Sequence, residues 1–259
     1  MKKLLSFNLI AALCFMMACS SNDTEPNPRP GPTGNPDPSL NKLAVGTSSN
    51  DFLAADSYDR LTIEIISVNG AELSSAEVSS FQSWLSGLIN KPNGITIKTS
   101  SVSNPGLAPY STDDLRSFED QTRSEYNDGT ELTMYIFMAE DAYTTDNVLG
   151  VAYRNTSFAI FNGTIEANTG ALGQPSETLV TQTVLRHEMG HLLGLVNIGS
   201  PMQTDHQDVD HGNHCDVQNC LMYYAVENGD IIGNIVGGSG TPPSLDSQCM
   251  ADLVANGGK

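Results

Sequence analysis

The stretch His187-Glu188-Met189-Gly190-His191 carries the residue types and spacing that can do chemistry. Side chains four apart on a helix project from one face, so both imidazoles can turn toward one metal. H-E-x-x-H is the pattern of a zinc site with its general base. Glu188 falls beside the ligand face, where it can reach a metal-bound water rather than the metal. Two histidines do not complete a catalytic zinc, which takes three protein ligands and keeps a position for water. All five histidines lie between 187 and 214, so the third ligand is sought among His206, His211 and His214.

The elements that must position these groups can be read from periodicity. Leu179, Val180, Val184, His187, His191 and Leu195 recur at helical spacing across 177–195. Ser176 stands at the N-cap and Gly194 at the stop. Upstream, 61–68 alternates as a strand closed by Asn69-Gly70. A helix carrying Val78, Phe81, Trp84, Leu85 and Leu88 then runs from Ser74 or Ser75 to about Asn90, and 95–99 is a second strand. Thr112-Asp113-Asp114 caps a helix bearing Leu115, Phe118 and Tyr126 that ends at Asn127-Asp128-Gly129. The apolar run 132–138 is a buried central strand, and 148–161 a bent strand or a hairpin around Arg154-Asn155. Beyond Gly194 regular structure thins out, until Ser244 caps a short last helix with Leu245, Cys249 and Leu253 on one face. The class is α/β (α+β): a mixed twisted sheet with two packed helices and an active-site helix, then a smaller irregular C-terminal lobe with a terminal helix.

The first residues are an address. Lys2 and Lys3 precede the apolar run 4–17, too short to span a bilayer well, which makes 1–18 a signal peptide. Ala18-Cys19 at its end resembles the lipobox of bacterial lipoproteins, which implies a lipidated Cys19 anchoring the chain to the cell envelope, on its periplasmic face or at the cell surface. An ordinary secretory signal cleaved near Ala18 is the alternative, and either way the chain is exported. Six of the thirteen prolines fall in 20–40, so 19–40 is a lipidated cysteine with a semi-rigid linker. Residues 41–259 are then the catalytic domain, its N-terminal lobe reaching about 195 and its C-terminal lobe covering 196–259. The net charge of −18 argues against nucleic acid as a partner. Cys215, Cys220 and Cys249 remain in the exported part, and a Cys220–Cys249 disulfide is the first expectation.

His187, Glu188, His191 and Gly194 resemble the metzincin metallopeptidases, whose pattern is H-E-x-x-H-x-x-G-x-x-H followed by a Met-turn. The chain departs from it three residues after Gly194, where Asn197 is a poor zinc ligand. Further on, His214-Cys215, four residues, Cys220-Leu221-Met222 resembles the archaemetzincin segment in which the third histidine precedes Cys-x4-Cys and the Met-turn. That resemblance implies His214 as third ligand after an insertion, with His206 and then His211 as alternatives, and Met222 as the methionine beneath the metal. The Cys pair that gives archaemetzincins a second zinc is missing, since only Cys249 remains downstream. Tyr224 stands two residues after Met222, where a tyrosine assists the oxyanion in the astacin-like and serralysin-like branches; a plain core aromatic is the alternative. A gluzincin reading would take its third ligand from a Glu on a later helix, and Glu227, in a Gly-rich sequel, shows no such helix. Asp205, Asp208 and Asp210 in the insertion read as a solvated face.

The expectation is an exported zinc endopeptidase in which His187, His191 and His214 hold Zn²⁺ and leave a place for water. Glu188 is the general base and Tyr224 an accessory to the oxyanion. The resemblance further implies a polypeptide substrate bound extended along an edge strand within 148–161. The rival is an exported zinc-containing binding or adhesion lipoprotein without hydrolytic activity, its metal closed by Cys215. A scaffold helix that has lost its metal is a third reading.

Overall fold

Short runs of β-branched and aromatic residues pair into one mixed sheet in the structure, a computed structural model that describes residues 36–229, 232 and 240–259. The signal segment, Cys19, the linker as far as residue 35 and most of the Gly-rich stretch after 229 lie outside the described residues. The strands are β1 (Arg60–Val68), β2 (Ile95–Val102), β3 (Glu131–Ala139), β4 (Gly150–Arg154) and β5 (Ser157–Phe161), in the order β2-β1-β3-β5-β4. All pairs are parallel except β4 with β5, so the one antiparallel strand forms an edge. The helices are α1 (Ser49–Leu53), α2 (Ser75–Ser86), α3 (Thr112–Thr122), α4 (Asn162–Ala167), α5 (Glu177–Leu192) and α6 (Ser247–Ala255). No described helix is long and apolar enough to cross a membrane.

The period of two along each strand divides the core into two layers. Ile63, Ile65, Met134, Ile136, Phe158 and Ile160 pack with Phe81 and Leu85 of α2 and with Val180, Val184 and Leu185 of α5. Ile66, Val68, Tyr135, Phe137 and Phe161 face Leu115 and Phe118 of α3 on the other side. Central β1 and β3 are buried along nearly their whole length, as strands covered on both faces are.

Two helix boundaries differ from the sequence reading for a polar reason, and one expected covalent bond is missing. The helix expected to reach Asn127 stops at Thr122, because buried Arg123 turns back to Glu119 at 2.7 Å and the Glu64 carboxylate accepts the next backbone N–H groups, from Ser124 and Glu125. The last helix begins at Ser247 rather than after Ser244, since the Asp246 carboxylate accepts from the Gln248 and Cys249 N–H groups. Cys220 and Cys249 are free thiols with Sγ atoms 3.6 Å apart, well beyond a disulfide bond length, so the expected bridge is not formed.

The hairpin is the feature that sets the site. Asn155 and Thr156 connect β4 to β5, and the Asn155 side chain accepts from Leu43 N–H at 2.9 Å and donates to Leu40 O at 2.8 Å and Ser48 Oγ at 2.9 Å. These bonds strap 40–48 against the hairpin. At its other corner, Arg154 reaches Glu119 at 3.1 Å and Asp120 at 2.7 Å, tying the edge strand to α3. A buried pair of this kind fixes geometry more than it adds stability.

Candidate active site

Helix α5 brings the first two histidines together as its spacing requires. The Ser176 side chain accepts from Leu179 N–H at the N-cap, and from Val180 to Leu192 nearly every residue is buried. The Nε2 atoms of His187 and His191 lie 3.2 Å apart. Gly194 then turns the chain with φ +77°; a Cβ there would come within 2.6 Å of Ser200 N and of Ser49 Cβ, so a glycine is required.

The returning chain supplies the third histidine. The rings of His187 and His214 stack with centroids 5.3 Å apart, and the Nε2-bearing edges of His187, His191 and His214 form one group with the Glu227 carboxylate, their facing atoms all within 4.8 Å. Met222 lies against the helix directly: a Cβ on Gly190 would sit 2.2 Å from its Sδ, so glycine lets the chain at Met222 pack against α5. The same segment also orients a ligand. His187 Nδ1 is 2.7 Å from Leu221 O, and His214 Nδ1 is 2.8 Å from His211 O. A carbonyl only accepts, so both Nδ1 atoms carry a proton and Nε2 is the atom each ring turns inward, the orientation that hydrogen-bond partners behind the ring give a metal-binding imidazole.

These groups fit a divalent cation. His191 Nδ1 is buried without a hydrogen-bond partner in the described structure, His214 Nε2 faces the Glu227 carboxylate at 3.4 Å, and the fully buried Glu188 carboxylate meets the Ala152 backbone N–H. Burial, with the neighbouring His187 and His214 rings, holds His191 well below its ordinary pKa and so keeps it neutral, as a ligand must be. Burial, followed by the charge of Glu227, pushes the Glu188 carboxyl well above the usual range. Converging lone pairs and two carboxylates in one dry corner are costly unless a positive charge sits among them. Three imidazole nitrogens are a donor set zinc takes readily.

A cavity of about 210 Å³ opens over Glu188, His191, His214 and Glu227, walled by Val151 and Ala152 of β4 and by Ile198. Gly150 permits the approach of this strand, because a Cβ there would stand 2.8 Å from Glu188 Oε1. The site therefore lies beside the antiparallel edge strand.

The other candidates are placed elsewhere. His211 is exposed and paired with Asp208 at 2.7 Å. The Tyr224 ring stacks on His211 with centroids 3.5 Å apart and touches Tyr223; it does not line the cavity. His206 belongs to a second group, with Nε2 2.8 Å from Asp252 and Nδ1 3.4 Å from Cys215 Sγ. Cys215, Asp246 and Cys249 complete that group within 4.8 Å, so Cys215 stands apart from the three histidines. A count of thiols alone leaves this second set one pair short. The missing donors are His206 and Asp246, and the Asp246-x-x-Cys249 spacing was the available signal. Two thiols, an imidazole and a carboxylate can close around a structural metal ion. Glu227, set aside in the sequence for want of a helix, is the last residue of a one-turn 3-10 helix, Tyr224–Glu227.

No family model matches the chain, and no curated protein matches it in sequence. Among solved structures, archaemetzincin from Methanopyrus kandleri is similar, with a TM-score of 0.50 and 16% identity over 76% of this chain and 96% of that one. At that identity the likeness is one of fold: the mixed five-stranded sheet and its flanking helices match the architecture of archaemetzincin.

Proposed function

We propose that the chain is an exported zinc endopeptidase, held at the cell envelope through a lipidated Cys19. The observation that supports this most is the convergence of His187, His191 and His214 beside the buried carboxylate of Glu188, in a cavity bordered by an antiparallel edge strand. His187, His191 and His214 would hold zinc, which when bound would supply a Lewis acid to acidify water and polarise a carbonyl oxygen.

The residues of the chain do the rest. The free edge of β4 takes an extended polypeptide antiparallel through its backbone groups, which places a peptide carbonyl over the histidines. Val151, Ala152 and Ile198 give that corner apolar walls. Glu188, its affinity for a proton raised by burial, accepts a proton from the attacking water and returns it to the leaving amine. The Leu221 carbonyl holds the His187 ring in place, while Met222 packs against α5 at Gly190. Tyr224 would have to leave His211 to reach an oxyanion, so its role is left to the substrate-bound state.

A second reading is favoured by one observation, the Glu227 carboxylate beside the histidines. Four protein ligands are the mark of a structural zinc, and a closed site would make the chain an exported zinc-containing binding lipoprotein. Hydrolysis of a quenched peptide library separates the two readings. The peptidase cleaves, loses cleavage when the metal is chelated and recovers it with zinc. A chain that keeps zinc and never cleaves is the binding protein.

A further inference from the structure

We propose that Glu227 is a displaceable fourth ligand: in the resting protein its carboxylate fills the position a peptidase needs for water, and an incoming ligand drives it out. This rests on the zinc peptidase reading and adds a resting state to it.

The geometry comes first. Four ligands arranged tetrahedrally about zinc at ordinary bond lengths lie about 3.4 Å from one another. His187 Nε2 and His191 Nε2 are 3.2 Å apart. Glu227 Oε2 is 3.4 Å from His214 Nε2 and 3.7 Å from His187 Nε2. Each of these three separations is the size of a tetrahedral edge, and all four facing atoms lie within 4.8 Å of one another, which suits a carboxylate oxygen as the fourth ligand. A general base needs no such place, and Glu188 already fills that role.

Mobility is the second element. The three histidines are nearly inaccessible, and His187 and His214 are each fixed by a carbonyl behind the ring. The Glu227 side chain is 34% exposed and borders the cavity mouth. Its backbone is held independently: Glu227 O accepts from Leu149 N–H at 3.0 Å, and Asn228 bridges Val148 just before the edge strand. The carboxylate can therefore swing toward solvent while the 3-10 turn stays docked. That docking lies one residue before β4, so a peptide adding to the strand edge arrives beside the group it must displace.

The test uses the full chain loaded with Co²⁺, whose visible absorption reports coordination number, together with zinc affinity and binding of acetohydroxamate. The wild type should give an intense four-coordinate spectrum. Glu227→Gln and Glu227→Asp should each bind zinc at least about tenfold more weakly, since even outer-shell changes have effects of that size. Both should bind acetohydroxamate more tightly than the wild type by about tenfold, because Gln has no carboxylate to displace and the Asp carboxylate stands one methylene short of the fourth corner. Unchanged zinc and acetohydroxamate affinities in both variants would show that Glu227 is an ion-pair partner only, and overturn the proposal. Weaker zinc binding without any gain in acetohydroxamate binding would make it a permanent ligand, which also overturns it. A wild type that takes up no metal, or holds it without His214, would instead overturn the peptidase reading beneath.

Discussion

Glu188→Gln is expected to retain zinc and to lower peptide hydrolysis by roughly 10²–10⁴-fold, the range general base catalysis contributes. The substitution keeps the shape of a side chain that is fully buried and removes only its ability to take a proton. The carboxylate lies against the Ala152 backbone N–H, a donor that the oxygen of the Gln amide can still meet. Removing the charge of a fully buried carboxylate should leave stability unchanged or raise it. Activity and zinc content measured on one sample check this. Full activity in a zinc-replete Glu188→Gln protein would remove Glu188 from the chemistry.

His214→Ala is the second large effect. It removes one of three inward-facing imidazoles, and zinc affinity should fall by more than about 100-fold, beyond what outer-shell losses produce. The parallel His211→Ala variant should change zinc affinity little, because that ring is exposed and paired with Asp208. Competition with a chromophoric chelator measures both. Equal losses in the two variants would mean that the loop, rather than the ligand, is responsible.

Why the helix was legible and the third ligand was not has a physical basis. Helix α5 has a cap, an apolar period and two ligands four residues apart, all local properties of one regular element. His214 reaches the cluster through a loop with no period. Its place is set by pairs such as Asp208 N–H to His214 O and Asp216 N–H to His206 O, which hold residues 206–216 as an irregular hairpin. Within it His206 and His214 serve different groups, a choice that spacing cannot make and that only the archaemetzincin-like His-Cys-x4-Cys-Leu-Met run pointed to.

Glu227 was hidden for a similar reason: a one-turn helix before a Gly-rich stretch has neither length nor period to mark it. In the sheet, alternation marked 61–68 and an apolar run marked 132–138, whereas 148–161 could be read as a bent strand or a hairpin until its pairing showed the hairpin. The early end of α3 depended on Glu64, which lies far away in sequence and accepts N–H groups the helix might have continued to use. The short helices α1 and α4 fall below the length at which a hydrophobic stripe becomes visible.

The most direct test is an anomalous difference map at the zinc edge from crystals of the zinc-loaded protein. The account predicts a peak about 2.0–2.1 Å from the Nε2 atoms of His187, His191 and His214. Density confined to the His206, Cys215 and Cys249 group, with none among those three histidines, would contradict it.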